Sequence, residues 1–119
     1  MSFAKLQAQA ELARRELARR SLLDFTLYTK PDYEVNWHHR VLCSYLDRFV
    51  SGDIKRLLIE MPPRHGKSEL TSRRLPAYIL GKHPSTEVMA ASYSADLSRR
   101  FNRDVQRIID DPRYVNVFP

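Results

Sequence analysis

The residues that most restrict the fold run from Arg56 to Leu70, Arg-Leu-Leu-Ile-Glu-Met-Pro-Pro-Arg-His-Gly-Lys-Ser-Glu-Leu. A short apolar run, Leu57-Leu58-Ile59, leads into a tight basic loop, and Gly66-Lys67-Ser68 then opens a segment with helical patterning. The order reads strand, loop, helix. A junction of this kind gathers unpaired backbone N–H groups and the positive end of a helix dipole at one point, where an anion is favoured. Gly66 lets the backbone approach phosphate closely, Lys67 would reach the β and γ oxygens of a triphosphate, and the Ser68 hydroxyl would ligate Mg²⁺.

The loop departs from the usual Gly-x-x-x-x-Gly-Lys-Ser/Thr pattern at its start, where Met61 stands in place of the first glycine. Pro62 and Pro63 have no N–H to offer and fix their own φ angles, so they read as a rigid shoulder that aims the later amides. The donors are then expected from His65 to Ser68, with Arg64 adding a second cation and Glu69 completing the predicted set of Arg64, His65, Gly66, Lys67, Ser68 and Glu69. A basic surface turn is the plainer alternative. The apolar run before the loop and the helical pattern after it favour the phosphate reading.

Upstream, residues 4–23 contain no Gly or Pro and are rich in Ala, Leu, Glu and Arg, which predicts one amphipathic helix with Leu6, Leu12, Leu17 and Leu22 roughly on one side. Arg14-Arg15 and Arg19-Arg20 would meet phosphates or an acidic partner, or form a solvated face balanced by Glu11 and Glu16; the balanced face is the preferred reading. The same helix is also suited to dock on the rest of the protein or on a neighbouring subunit. Lys30-Pro31-Asp32 marks a turn. Asn36 is a good N-cap for a helix reaching Val50 and closed by Ser51-Gly52-Asp53, with Val41, Leu42, Tyr45, Leu46 and Phe49 as its buried face. Cys43, the single cysteine, sits within that face and reads as a buried free thiol.

Downstream, a helix is expected from Ser68 to Leu80, kinked or broken by Pro76 and ended by Gly81. Arg73 and Arg74 stand near enough in sequence to flank the nucleotide, but a solvent-facing role is the preferred reading. Thr86 to Tyr93 reads as a second strand, apolar through its centre as buried parallel strands are. Ser94 caps a last helix from Ala95 to about Asp110, with Leu97, Phe101, Val105 and Ile108 inward. Ile108-Ile109-Asp110-Asp111 imitates an acidic strand end, but Gln106 and Arg107 interrupt the apolar run and the helical stripe continues through it, so a helix end stopped by Pro112 is the better reading. The predicted fold is α/β: a P-loop NTPase core with an incomplete parallel sheet (residues 36–119), preceded by a helical N-terminal segment (residues 1–35).

Met61 to Leu70, together with Asn36-Trp-His-His-Arg40 before it and Ala91-Ser-Tyr-Ser-Ala-Asp-Leu97 after it, resembles the N-terminal ATPase part of the large terminase subunit of tailed bacteriophages. The resemblance runs from about residue 31 to Pro119. It implies a P-loop motor that uses ATP and Mg²⁺ to thread double-stranded viral DNA into a procapsid in the host cell cytoplasm. The implied partners are the small terminase subunit, the portal protein and further copies of the chain, with a separate nuclease domain further along. Members of this family carry an adenine-contacting segment upstream of the loop, often with a Gln. Here His38 or His39 would take that role, or the pair simply packs at the start of its helix. Two adjacent histidines on a helix diverge by about a hundred degrees, which argues against a metal site. The family's loop arginine often stands one residue earlier, where this chain has Pro63. One of the arginines Arg99, Arg100 and Arg103 is a candidate to reach a neighbouring subunit's γ-phosphate.

Composition adds a little to this. The net charge of +6 favours a polyanionic partner, and no stretch has the length of a membrane span. The 119 residues hold no convincing Walker B strand, catalytic Glu or acidic nuclease cluster, so the chain is expected to be the nucleotide-binding front of a larger protein, with hydrolysis not assigned to residues within it. A helicase-like P-loop ATPase and a truncated, non-catalytic DNA- or subunit-binding module are the alternatives, the latter marked by steep salt dependence and no turnover.

Overall fold

The computed structural model describes residues 2–61, 69–92 and 94–119. They form six α-helices: α1 Phe3–Arg20, α2 Leu22–Thr29, α3 Trp37–Ser51, α4 Leu75–Lys82, α5 Ala95–Asp110 and α6 Pro112–Val117, with a π-helical segment, Glu69–Arg74, running directly into α4. No helix is long and apolar enough to cross a membrane.

The predicted α/β core with a parallel sheet is not what forms, because no strand exists among the described residues. The run around Leu57-Leu58-Ile59 is extended and one-sided, with Leu57, Ile59 and Met61 half-buried while Leu58 and Glu60 face outward. That period of two suits a strand, but a strand also needs a neighbour to share its ladder, and none of the described residues supplies one. Residues 86–92, the described part of the expected second strand, are exposed throughout, Met89 almost completely. Tyr93, its last residue, lies outside the described residues.

The single helix expected over residues 4–23 is two. Ser21 takes an extended conformation, φ −140°, and closes one helix while opening the next: its N–H donates to the Leu17 carbonyl at 3.1 Å, and its hydroxyl accepts from the Asp24 N–H at 3.4 Å. A serine at such a point offers the backbone an alternative partner to the helical ladder. The break turns Leu22 and Phe25 into the core, both fully buried, whereas Leu6, Leu12 and Leu17 are half-exposed or more. The arginines of α1 pair along their own helix as the balanced reading expects, Arg14 and Arg15 with Glu11, Arg19 and Arg20 with Glu16. Arg19 does more, donating from Nε to the Val117 carbonyl at 2.6 Å and so tying α1 to α6.

Helix α3 ends where expected, with Gly52 at φ +93° in the left-handed region that a side chain would strain. Its buried face is narrower than the periodicity suggests: Leu42, Cys43 and Leu46 are inside, while Val41 and Tyr45 are nearly half exposed. Cys43 is a free thiol, and burial pushes its pKa up to about 12. Helix α5 follows prediction, its Ser94 hydroxyl accepting from the Leu97 N–H at 3.1 Å.

Pro76 and Gly81 act differently from expectation, while Pro112 ends α5 as expected. Pro76 sits in the first turn of α4, where its missing N–H is not needed, and the chain before it is wound as a π-helix. Gly81 lies inside α4 and does not terminate it; a Cβ there would meet the Phe118 ring at 2.3 Å. Pro112 opens α6, with Asp111 as its N-cap accepting from the Arg113 N–H at 2.8 Å, so Asp110-Asp111 is a helix end as read from the sequence.

The core joins all of this. Phe25 of α2 packs against Tyr78 of α4 at 5.4 Å between ring centres, Tyr114 of α6 at 6.0 Å and Phe118 at 5.9 Å. Each such ring contributes about 1.5–3 kcal/mol by burial. Three buried hydroxyls are satisfied by backbone carbonyls: those of Thr26 and Thr29 donate to the Leu22 and Phe25 carbonyls at 2.8 Å, and that of Tyr114 to the Ala77 carbonyl at 2.8 Å.

Candidate functional site

The predicted phosphate-loop residues Arg64, His65, Gly66, Lys67 and Ser68, with the Pro62-Pro63 shoulder, lie outside the described residues. Both flanks of the loop are described, and both are anchored. Before it, Met61 packs half-buried against the core; after it, Glu69 opens the π-helical segment and Leu70 is fully buried.

On the upstream flank lies an open apolar cleft of about 410 Å³. One wall is the outer face of α3, with Trp37, His38, Val41 and Tyr45, and the other is the extended run Leu57 to Met61 that leads into the loop. The one-sidedness of that run explains the wall, because an extended segment alternates its side chains between the core and the open side. Trp37 is 77% exposed and Leu58 84% exposed, large apolar surfaces held at the cleft.

The two histidines separate. His38 lines the cleft, with the Trp37 ring edge-on to it at 5.7 Å. His39 is buried and serves the helix start: its Nδ1 accepts from the Asn36 N–H at 3.0 Å, the reciprocal contact that Glu or Gln usually supplies in a capping box. Accepting through Nδ1 fixes that nitrogen without a proton. Tyr33 packs on the His39 ring at 5.2 Å, and its hydroxyl, buried beside Cys43 and Glu69, has its pKa raised to about 12, chiefly by burial.

On the downstream flank the expectation that Arg73 and Arg74 face solvent is overturned. Arg74 is 9% exposed; its Nε donates to Glu69 Oε1 at 2.8 Å and its Nη1 to the Thr29 hydroxyl of α2 at 2.9 Å. Arg73 donates from Nε to Asp104 Oδ2 of α5 at 2.8 Å, pairs with Glu69 at 3.3 Å, and lies over the Phe101 ring at 5.2 Å. The π-helical winding is the physical reason. It places residues five apart on one face, so Glu69 holds both Arg73 and Arg74, and the charge is closed within the cluster. Glu69, predicted as part of the phosphate site, thus directs its carboxylate to these guanidinium groups. Thr29 and Asp104 belong to the same network and were not singled out from the sequence; the four-residue spacing of Glu69 and Arg73 was its only readable sign.

No curated protein and no solved structure matches the chain. A family model described as "Terminase large subunit, T4likevirus-type, N-terminal" matches residues 58–117, half of the chain, from the run before the basic loop through α6. The chain therefore belongs to the large terminase subunit family of the T4-like-virus type, within its N-terminal region.

Proposed function

We propose that this part of the terminase large subunit binds ATP with Mg²⁺ through residues 64–68, as the nucleotide-holding portion of a DNA-packaging motor. What supports the reading is the basic sequence Arg-His-Gly-Lys-Ser at residues 64–68 between two anchored flanks, one bearing an apolar cleft and the other a charge-closed cluster. Because Arg73 and Arg74 are engaged with Glu69, Asp104 and Thr29, cations for the phosphates fall to the loop itself, to Lys67 and Arg64. Lys67 and the backbone at Gly66 would hold the β and γ oxygens, and Ser68 would hold Mg²⁺, which supplies charge neutralisation when bound.

Trp37, His38 and Tyr45 suit the cleft to a planar heterocycle, since aromatic edges and faces stack on a base without requiring a particular hydrogen-bond pattern. His38 is the residue proposed to face the base; His39, bound into the helix cap, supports it. The partners proposed for the assembled protein are double-stranded viral DNA, the small terminase subunit and the portal protein, in keeping with the net charge of +6.

Replacement of Lys67 by Ala tests the proposal. One lost charge-assisted contact of about 1.5–3 kcal/mol predicts a loss of roughly tenfold to a hundredfold in affinity for a fluorescent ATP analogue. Wild-type affinity in the variant would remove the phosphate assignment.

A further inference from the structure

We propose that the small pocket between the π-helical segment, α2 and the end of α5 binds one inorganic phosphate ion, through residues separate from the basic loop. The pocket has a volume of about 190 Å³ and is lined by Thr29, Arg74, Arg107, Ile108 and Asp111. A single water needs roughly 10–15 Å³, so a larger guest has room. Thr29, Arg74 and Ile108 are buried, none more than 9% exposed, and Arg107 and Asp111 stand nearer solvent. Closing the charge of Arg74 does not use all of its donors. A guanidinium has five N–H groups. Arg74 gives one from Nε to Glu69 and one from Nη1 to Thr29, which leaves three without an acceptor among the described residues. Nη2 makes no hydrogen bond among those residues and is not sealed from solvent, and the pocket is the opening that reaches Arg74. A buried cationic donor of this kind calls for an acceptor.

Arg107 adds a second fork of donors. Its carboxylate neighbour, Asp104, is 3.9 Å away, the outer edge of an ion pair, and is already held by Arg73 at 2.8 Å. Two guanidinium groups from separate elements, one buried and one near solvent, thus share a pocket, an arrangement suited to an oxyanion. Asp111 then selects which one. Its Oδ1 accepts from the Arg113 N–H at 2.8 Å, and its Oδ2 is a further acceptor with no hydrogen bond among the described residues. An ion without a proton sets its own oxygens against that carboxylate. Hydrogen phosphate and dihydrogen phosphate carry a P–O–H that donates to Asp111 while their other oxygens accept from Arg74 and Arg107. Sulfate has no such proton at neutral pH, and neither has the phosphodiester of a nucleic-acid backbone. A phosphate monoester has it, but its ester oxygen offers the two arginines one good acceptor fewer. The free ion satisfies all three side chains.

The test is isothermal titration calorimetry of the full chain with sodium phosphate at constant ionic strength. Wild type is expected to take up one ion per chain. Arg107→Gln, at a side chain 74% exposed and so without effect on the fold, should weaken binding about tenfold or more. Asp111→Asn keeps a good N-cap for α6 and offers an N–H in place of the acceptor, so it should bind sulfate more tightly than wild type does. Lys67→Ala should bind phosphate as wild type does. Absence of saturable binding in wild type, or equal binding by Arg107→Gln, overturns the proposal. Loss of binding in Lys67→Ala also overturns it, by placing the ion on the loop, and leaves the nucleotide assignment standing. Sulfate bound as tightly as phosphate by wild type, or phosphate displaced by duplex DNA, overturns the selection by Asp111. Phenyl phosphate separates the sources: weaker binding than the free ion is expected, and tighter binding overturns the free ion as occupant.

Discussion

Arg74 depends on its partners more than any other charged side chain among the described residues, because it is the one that is buried. Its guanidinium is held by Glu69 and Thr29, with side-chain exposures of only 11% for Arg74 and 18% for Glu69. Removing one partner of such a pair leaves a charge that neither water nor protein fully compensates. Glu69→Ala is therefore expected to destabilise the fold by about 2–4 kcal/mol in urea denaturation, at the lower side of the range for fully buried pairs because some solvent reaches this one. Glu69→Gln, which keeps an acceptor, should lose clearly less. Equal losses for the two variants would mean that shape, not charge, is what Glu69 provides. Thr29→Val should cost about 1.5–3 kcal/mol, the net worth of one hydrogen bond to a charged group with its methyl shape retained.

At the scale of elements, the hinge between α1 and α2 is held by a hydrogen bond from the Tyr28 hydroxyl to Glu11, beside the ion pairs of Glu11 with Arg14 and Arg15. Together, Tyr28 foremost and then the two arginines, they lower the Glu11 pKa from 4.5 to about 2. The folded state then binds fewer protons than the unfolded state between those values. The contribution of Glu11 is present in full above the unfolded pKa and is lost as the pH falls toward about 2. Thermal melts between about pH 5 and pH 2 should show a shallower decline for Glu11→Gln than for wild type. An ordinary carboxylate pKa for Glu11 by NMR titration would contradict the hinge. The elements also show which signals are local. Asn36, Gly52 and Ser94 mark helix ends by their own chemistry, and the structure places ends there. Ser21 and Asp111-Pro112 carry the same kind of signal, but apolar periodicity running past them concealed a break in one case and a new helix in the other. The expected sheet fails for a reason the sequence does not display: strand pairing is a property of two segments, and alternation in Leu57 to Met61 describes only one. The cleft was hidden for a related reason: helical spacing assigned Val41 and Tyr45 to the interior, whereas the contacts of α3 bury a narrower face and leave these two lining a cleft with Leu57 to Met61.

For the molecule as a whole, the decisive contact joins its last residues to its middle. The Phe118 ring touches Phe25, Tyr78 and Tyr114, and it lies so close over α4 that only a residue without a Cβ fits at position 81. Gly81 is thus a packing glycine. Its φ is not in the left-handed region, so alanine there would ordinarily gain up to about 1 kcal/mol of helix propensity. The 2.3 Å approach to an aromatic ring in a well-packed core opposes that gain, and overpacking of this kind costs about 1–3 kcal/mol. The sign of Gly81→Ala therefore separates the two effects: net destabilisation is expected. Phe118→Leu alone should also destabilise, by loss of ring contacts with three aromatics. The two together should be less costly than their sum, since the smaller side chain leaves room for the added methyl, a coupling of about 0.5–2 kcal/mol measurable in a double-mutant cycle. Additive losses would mean that the ring moves aside freely, and that the end of the chain is not fixed against α4. Coupled losses would mean that the segment following the loop, from Leu70 through α4, is held in place by residues at both ends of the sequence, Phe25 and Phe118, and that the flanks of the loop are set by the closure of the entire core.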